Sequence, residues 1–327
     1  MAGEVHYDQT HTDYAVAWEA TNVQFIANQA AIPNAVRRRA DRYTVYSQAD
    51  MGRDDMALRA PGAPTVVLTQ GASTDTYYCD NYGGKVQVIW QERDNDDDPA
   101  AYEQSKVARL IRAAAIRRER LFMSTAFTNT SWASTNRMTG TASTQSGLDF
   151  IRFGASGSDP VLTVETAHDL IRQGTGGEKG NTLVMTPDVY RVLKSNAALL
   201  DRIKYTGSGS SPASVTPQAM AALFDVEKVL VAYANYTSSV EGATLATSNV
   251  GSNQMVLMYQ SPEKFSPTAL RQFVWSPYDD AGGDSRVSVR RWDDQSIEST
   301  WLEAQICPDF KVVANAAAVH FATALTA

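Results

Sequence analysis

The chain has 327 residues, 43% of them hydrophobic and 20% charged, with a formal net charge of −7. That length can bury a sizeable core in two or three domains, and the mild acidity excludes a surface built to hold nucleic acid by bulk attraction. No run of about 18 apolar residues is present to cross a membrane, and the first twenty residues lack the basic-then-apolar layout of a secretory signal. Two cysteines, Cys79 and Cys307, show neither metal-ligand spacing nor a disulfide framework. Buried thiols in a reducing cytoplasm fit them, and a bridge would need a proximity that the sequence does not show.

Residues 1–40 are polar and weakly periodic, with no obvious strand, and Pro33 breaks any helix around it. Arg37, Arg38 and Arg39 close the segment. Two readings stay open: an extended arm that gains order by packing on something else, or a frayed terminus.

In residues 41–92, Tyr43, Val45 and Tyr46 start a short strand. The stretch MGRDDMALRAPGAP at 51–64 has the glycine, proline and charge content of a loop, and TVVLT at 65–69 reads as a strand. Asp80 to Gly84 suits a hairpin turn, after which Val86, Val88 and Trp90 alternate with polar residues as in a half-buried strand. Such a ribbon has too little core to stand alone, so it should lean on another domain or another subunit.

Residues 99–126 predict the longest helix. Asp94 to Asp98 place carboxylates at its positive end and Pro99 occupies the first turn. Val107, Leu110, Ile111, Ala114, Leu121 and Phe122 recur near three- and four-residue spacing. At 1.5 Å per residue such a helix spans roughly 40 Å. Its other face holds Arg109, Arg112, Arg117 and Arg120. A nucleic-acid stripe would want aromatic or polar readers beside these, and only Tyr102 and Phe122 are near, so a solvated or partner-facing surface is favoured.

Residues 127–157 read as loops and irregular strands. Residues 158–261 read as a compact α/β unit: a helix from a Thr163 cap through Arg172, buried strands at 182–185, 229–234 and 255–259, and two helices opened by Thr186-Pro187 and Thr216-Pro217. Gly207 to Ser211 is a spacer. Residues 262–327 return to β, with long strands at 297–306 and 310–321 that should pair with elements before residue 158.

No catalytic constellation emerges. Gly174 to Gly180 resembles a phosphate loop, but Glu178 precedes Lys179, Gly180 follows it, and a helix stands where the motif needs a strand. Asn95 to Asp98 lacks the alternating ligands of a calcium loop and reads as a helix-start charge cluster. His6, His11, His168 and His320 are scattered, and the cysteines lack a catalytic context. The sequons at Asn129 and Asn235 carry little meaning without secretion.

Three stretches carry a family resemblance: YTVYSQADMGRDDMALRAPG at 43–62, the long helix at 99–126, and TPDVYRVLKSNAALLDRIKYTG joined to LFDVEKVLVAYANY. In these the chain resembles the major capsid proteins of tailed bacteriophages, which share the Hong Kong 97-type fold. The resemblance implies an α+β fold with an N-terminal arm at 1–52, an extended β loop at 53–93, a peripheral domain at 94–157 and 262–327 with a long spine helix, and an axial α/β domain at 158–261. It also implies a structural protein rather than an enzyme, without catalytic residues, cofactor or metal. By the same resemblance the chain assembles with itself into hexamers and pentamers of an icosahedral head. That head encloses double-stranded DNA without sequence-specific binding and without a membrane. Scaffold, portal and decoration proteins are the implied further partners, and the implied location is the virion capsid, built in the host cytoplasm. The candidate intersubunit contacts are Arg37, Arg38, Arg39, Arg53, Arg59, Arg109, Arg112, Arg117 and Arg120. An encapsulin-like compartment around a cargo enzyme is the alternative on the same fold. Some members cross-link a loop lysine to a neighbouring asparagine; this chain has no lysine between Asp41 and Gly84, which argues against that bond.

Overall fold

A computed structural model describes residues 6–46, 50, 52–69, 71–143, 145–206, 215–240, 242–263, 266–276 and 287–325. The spacer at 207–211 lies outside the described residues.

The long helix runs from Pro99 to Ala126, as its start signal and apolar spacing require. Asp98 caps it, its carboxylate accepting from the Ala101 N–H at 3.1 Å. Its two ends serve two different cores. Toward the N-terminus, Val107, Leu110 and Ile111 pack on Val88, Val289, Leu302, Ala304 and Ile306 of a four-stranded sheet. Toward the C-terminus, Phe122, Met123 and Ala126 pack on Val184, Val256 and Met258 of a six-stranded sheet.

The four-stranded sheet runs in the order His6–Tyr7, Ser288–Asp294, Ser299–Ile306, Tyr82–Ile89, all antiparallel. The six-stranded sheet runs in the order Asp149–Ile151, Arg137–Thr141, Ala318–Ala322, Met255–Met258, Thr182–Met185, Lys228–Val231. It thus draws strands from three separated stretches of chain. Its central strands are buried on both faces, which explains their unbroken apolar runs. Leu183 and Met185 face the helices Pro160–Thr175, Pro187–Lys194 and Pro217–Leu223, while Val184 faces the long helix. The expected pairing of late strands with early chain is present: Ser299–Ile306 with Tyr82–Ile89, and Ala318–Ala322 with Arg137–Thr141.

Several expectations are corrected. Residues 1–40 are not strand-free or merely extended. They form helices Gln9–Thr21 and Ala27–Ala30 and a strand Pro33–Val36, which lies parallel to Leu270–Trp275. These elements lack a strong apolar period because only a few small side chains are buried: Ala15, Ala27, Ala30 and Ala31. The stretch 65–69 is no strand; it has no pairing partner, and Val66, Val67 and Leu68 are exposed. Asp80 to Gly84 does not close a hairpin. The hairpin pairs Ala40–Tyr46 with Ala72–Tyr78, and the chain then crosses at Cys79–Asn81 into the four-stranded sheet. Trp90 ends that alternation by starting a short helix, Trp90–Asp94.

The helix expected from Thr163 starts at Pro160, with Asp159 accepting from the Val161 and Leu162 N–H groups. Thr216 caps its helix through the Ala219 N–H, whereas the Thr186 hydroxyl donates to the Gln254 carbonyl instead. The strand expected over 310–321 is two strands, Pro308–Val312 and Ala318–Ala322, in different sheets. A turn closed by Ala317 N–H to Ala314 C=O divides them.

Candidate functional site

The hairpin Ala40–Tyr46/Ala72–Tyr78 carries the segment 52–69 at its far end. At about 3.3 Å per residue, seven-residue strands hold that tip roughly 20 Å from the hairpin's root. The tip has no regular secondary structure and presents Met56, Leu58, Val66, Val67 and Leu68 to solvent. So many exposed large apolar side chains in one short segment mark an interaction surface.

The root is well held. Tyr77 and Cys79 are buried with Phe273 and Cys307, the Tyr77 and Phe273 rings stacking at 4.6 Å. The two cysteines share this cluster as free thiols. Burial, with the Asp309 charge, pushes the Cys79 thiol up to about 12, and burial pushes Cys307 up to about 11. Both are inert small apolar groups at neutral pH.

The nine candidate arginines fall in three separate places. At the hairpin root Arg37 is exposed, and Arg38 lies 3.7 Å from Asp41. Arg39 donates to the Cys79 carbonyl at 3.1 Å and stacks on Tyr78 at 4.6 Å. At the tip Arg53 lies 3.4 Å from Asp50, and Arg59 donates to the Ala63 carbonyl at 2.5 Å. On the long helix Arg109 and Arg112 are exposed. Arg117 covers the Tyr82 ring at 4.3 Å and Arg120 the Tyr236 ring at 4.5 Å. These last two brace their own chain.

Sequence reading missed Glu119, which is fully buried on the long helix. Its Oε2 accepts from the Ile26 and Ala27 N–H groups at 3.1 and 3.0 Å, fastening the start of the short arm helix to the long one. Burial raises its carboxyl to about 7, against the pull of the two N–H donors and of Arg118. A charged residue breaking an otherwise apolar helix face, beside Phe122, was the available signal.

The motifs set aside in the sequence are occupied with structure. Lys179 pairs with Asp225 at 2.5 Å, and Gly176 adopts φ 81° as the C-cap of helix Pro160–Thr175. His168 bonds the Phe224 carbonyl, while burial and the nearby Arg137 lower His320 to about 4. Among the described residues no group of His, Cys, Asp and Glu could hold a metal ion, and no helix is long and apolar enough to cross a membrane.

Residues 69–290, about two thirds of the chain, match the family model described as phage capsid protein. The chain belongs to that family. The capsid protein is 28% identical over 170 residues to the major capsid protein of Burkholderia phage BcepMu, covering 49% of this chain and 52% of that one. It thus spans about half the length of the curated relative it matches. Its fold is similar over 98% of both chains to a phage-related protein from Bordetella bronchiseptica, with a TM-score of 0.74 at 17% identity. It is also similar to the holo encapsulin complex of Synechococcus elongatus, with a TM-score of 0.55 at 9% identity over 93% of this chain and 89% of that one. The capsid protein has the Hong Kong 97-type α+β fold that its sequence resembles.

Proposed function

We propose that this chain is the major capsid subunit of a tailed phage, self-assembling through hexamers and pentamers into an icosahedral head around double-stranded DNA. The observation that carries this reading is the extended hairpin, whose apolar tip has no core of its own on a chain otherwise closely packed. Every copy offers the same tip and the same receiving surfaces, so contacts between copies are heterologous and close into rings. The role is structural, with no catalysis, and DNA is enclosed rather than read. Scaffold, portal and decoration proteins complete the partners, with assembly in the host cytoplasm. The domain division is the one the resemblance implies, with 1–52 as arm, 53–93 as extended loop, 94–157 with 262–327 as peripheral domain, and 158–261 as axial domain. The pairing of Ser299–Ile306 with Tyr82–Ile89 supports a discontinuous peripheral unit, although one sheet runs across the boundaries at 158 and 262.

The encapsulin-like alternative shares the fold. Likeness in sequence to a phage major capsid protein favours the head. Electron microscopy of the purified chain tests the assembly reading: closed shells or capsomer rings are expected, and a monodisperse monomer at every concentration overturns it. Boiled, reduced particles are expected to run as one monomer band, because the extended loop offers no lysine for a covalent link. A ladder of multimers contradicts that.

A further inference from the structure

Strand Tyr82–Ile89 is an outer strand of its sheet among the described residues. Such an edge leaves backbone N–H and C=O groups open to a further strand. Where the strand begins, a groove of about 410 Å³ opens between it and the long helix. Its walls include Tyr82, Gly84, Leu110, Ala113, Ala114 and Ala304. The groove exists because these residues are small. A Cβ on Gly84 would meet only Leu110, at 3.8 Å, so the space beyond stays open. Arg109, Ala113 and Arg117 lie four residues apart on the helix, so they form one stripe along the groove. Arg117 lines it, and Arg109 is exposed with no ion pair among the described residues.

The loop segment 52–69 has the opposite character. It exposes Met56, Leu58, Val66, Val67 and Leu68 without a pocket to receive them. It also carries Asp54, exposed and without an ion pair among the described residues. A chain does not fill its own groove with this tip. The groove sits at the hairpin's root, since Tyr82 follows Tyr78 by four residues, and the strands carry the tip roughly 20 Å away.

We propose that this groove seats the apolar tip of the extended loop of a second copy, laid along the free edge of strand Tyr82–Ile89, with Arg109 and Arg117 facing its acidic residues. The assignment rests on the shell reading above and names the partner surface within it. A heterologous contact of this kind repeats from copy to copy, as ring closure requires.

The test uses the full chain carrying Leu58→Cys and Ala113→Cys, with Cys79 and Cys307 buried and silent. After mild oxidation of assembled particles with diamide, a ladder of covalent multimers is expected on a non-reducing gel, collapsing to monomer with reductant. Each single variant, and a control pair of Leu58→Cys with Lys194→Cys, should stay monomeric. Gly84→Val supplies a second reading, because it fills the groove with a residue that strands favour. Its melting temperature should hold while particle yield falls at least tenfold. Particles that form without the ladder, a control pair that cross-links equally, or wild-type yield from Gly84→Val each overturn the groove assignment alone. A wild-type chain that builds no particles overturns the shell reading and the assignment with it.

Discussion

The six-stranded layer and the extended hairpin are built on opposite principles. In the layer, Leu183, Met185, Leu257 and Phe321 meet helices on one face, while Val184, Val256 and Met258 meet the long helix on the other. Every large apolar side chain there has neighbours within the same chain. In the hairpin, the pairing of Ala40–Tyr46 with Ala72–Tyr78 satisfies the backbone, but the tip leaves Leu58 and Val67 in water. Stability of the layer is therefore a property of one molecule, and stability of the tip is a property of the assembly. The long helix joins the two regimes, anchored in the layer at Phe122 and lining the groove at Ala113.

The sharpest way to break this contrast is to damage the layer. Phe122 is fully buried and meets Phe310 edge-on at 5.8 Å. Phe122→Ala should cost about 3–5 kcal/mol of unfolding free energy, as a buried aromatic truncation does. Denaturant unfolding of the unassembled chain measures it, and a loss under about 1 kcal/mol would show that the helix end is not part of the core.

Next in size is the fastening of the arm. Glu119→Ala leaves the Ile26 and Ala27 N–H groups without their acceptor, at a cost of roughly 1–3 kcal/mol. Hydrogen exchange at those two amides should accelerate, while Glu119→Gln, which keeps an acceptor, should change them little. The carboxyl also gives a pH signature. Its folded value is raised from 4.5 to about 7, so the folded chain holds this proton more tightly than the unfolded one. Its contribution is fully present below pH 4.5 and is lost as pH rises through about 7, with a slope of at most about 1.4 kcal/mol per pH unit. The difference in stability between wild type and Glu119→Gln should follow that slope. His320 works in the opposite direction. Its folded value is lowered from 6.5 to about 4, so its contribution is present above 6.5 and fades as pH falls toward 4. A His320→Gln variant should lose that second dependence, and a flat difference in both cases would remove the burial argument.

What the sequence disclosed follows the same division. The long helix was legible because Asp98-Pro99 signals its start and its apolar spacing runs unbroken into two cores. The strands at 182–185 and 255–258 were legible because burial on both faces makes them continuously apolar. The arm was not, because its helices bury alanines and one isoleucine and are held from outside by Glu119. The strand break at 313–317 was hidden since Ala314 and Ala317 are as buried as strand residues. Among the candidate contacts, charge alone could not separate Arg117 and Arg120, which lie over tyrosines of their own chain, from Arg109 and Arg112, which face solvent. The groove left only a faint trace, the small residues Gly83, Gly84, Ala113 and Ala114, far apart in the chain and adjacent in space.

The smallest expected effect on the single molecule is also the most discriminating. Leu58→Ser and Val67→Ser replace exposed side chains that touch little within their own chain, so the unfolding free energy of unassembled protein should move by less than about 0.5 kcal/mol. In a shell each of those side chains would leave water against a neighbour, and burying one leucine or valine is worth roughly 1.5–3 kcal/mol per contact. The double variant should therefore melt like wild type while its critical concentration for assembly rises at least tenfold, measured by sedimentation. If folding stability fell with assembly unchanged, the tip would be packing on its own chain, and the contrast between the two regions would be lost.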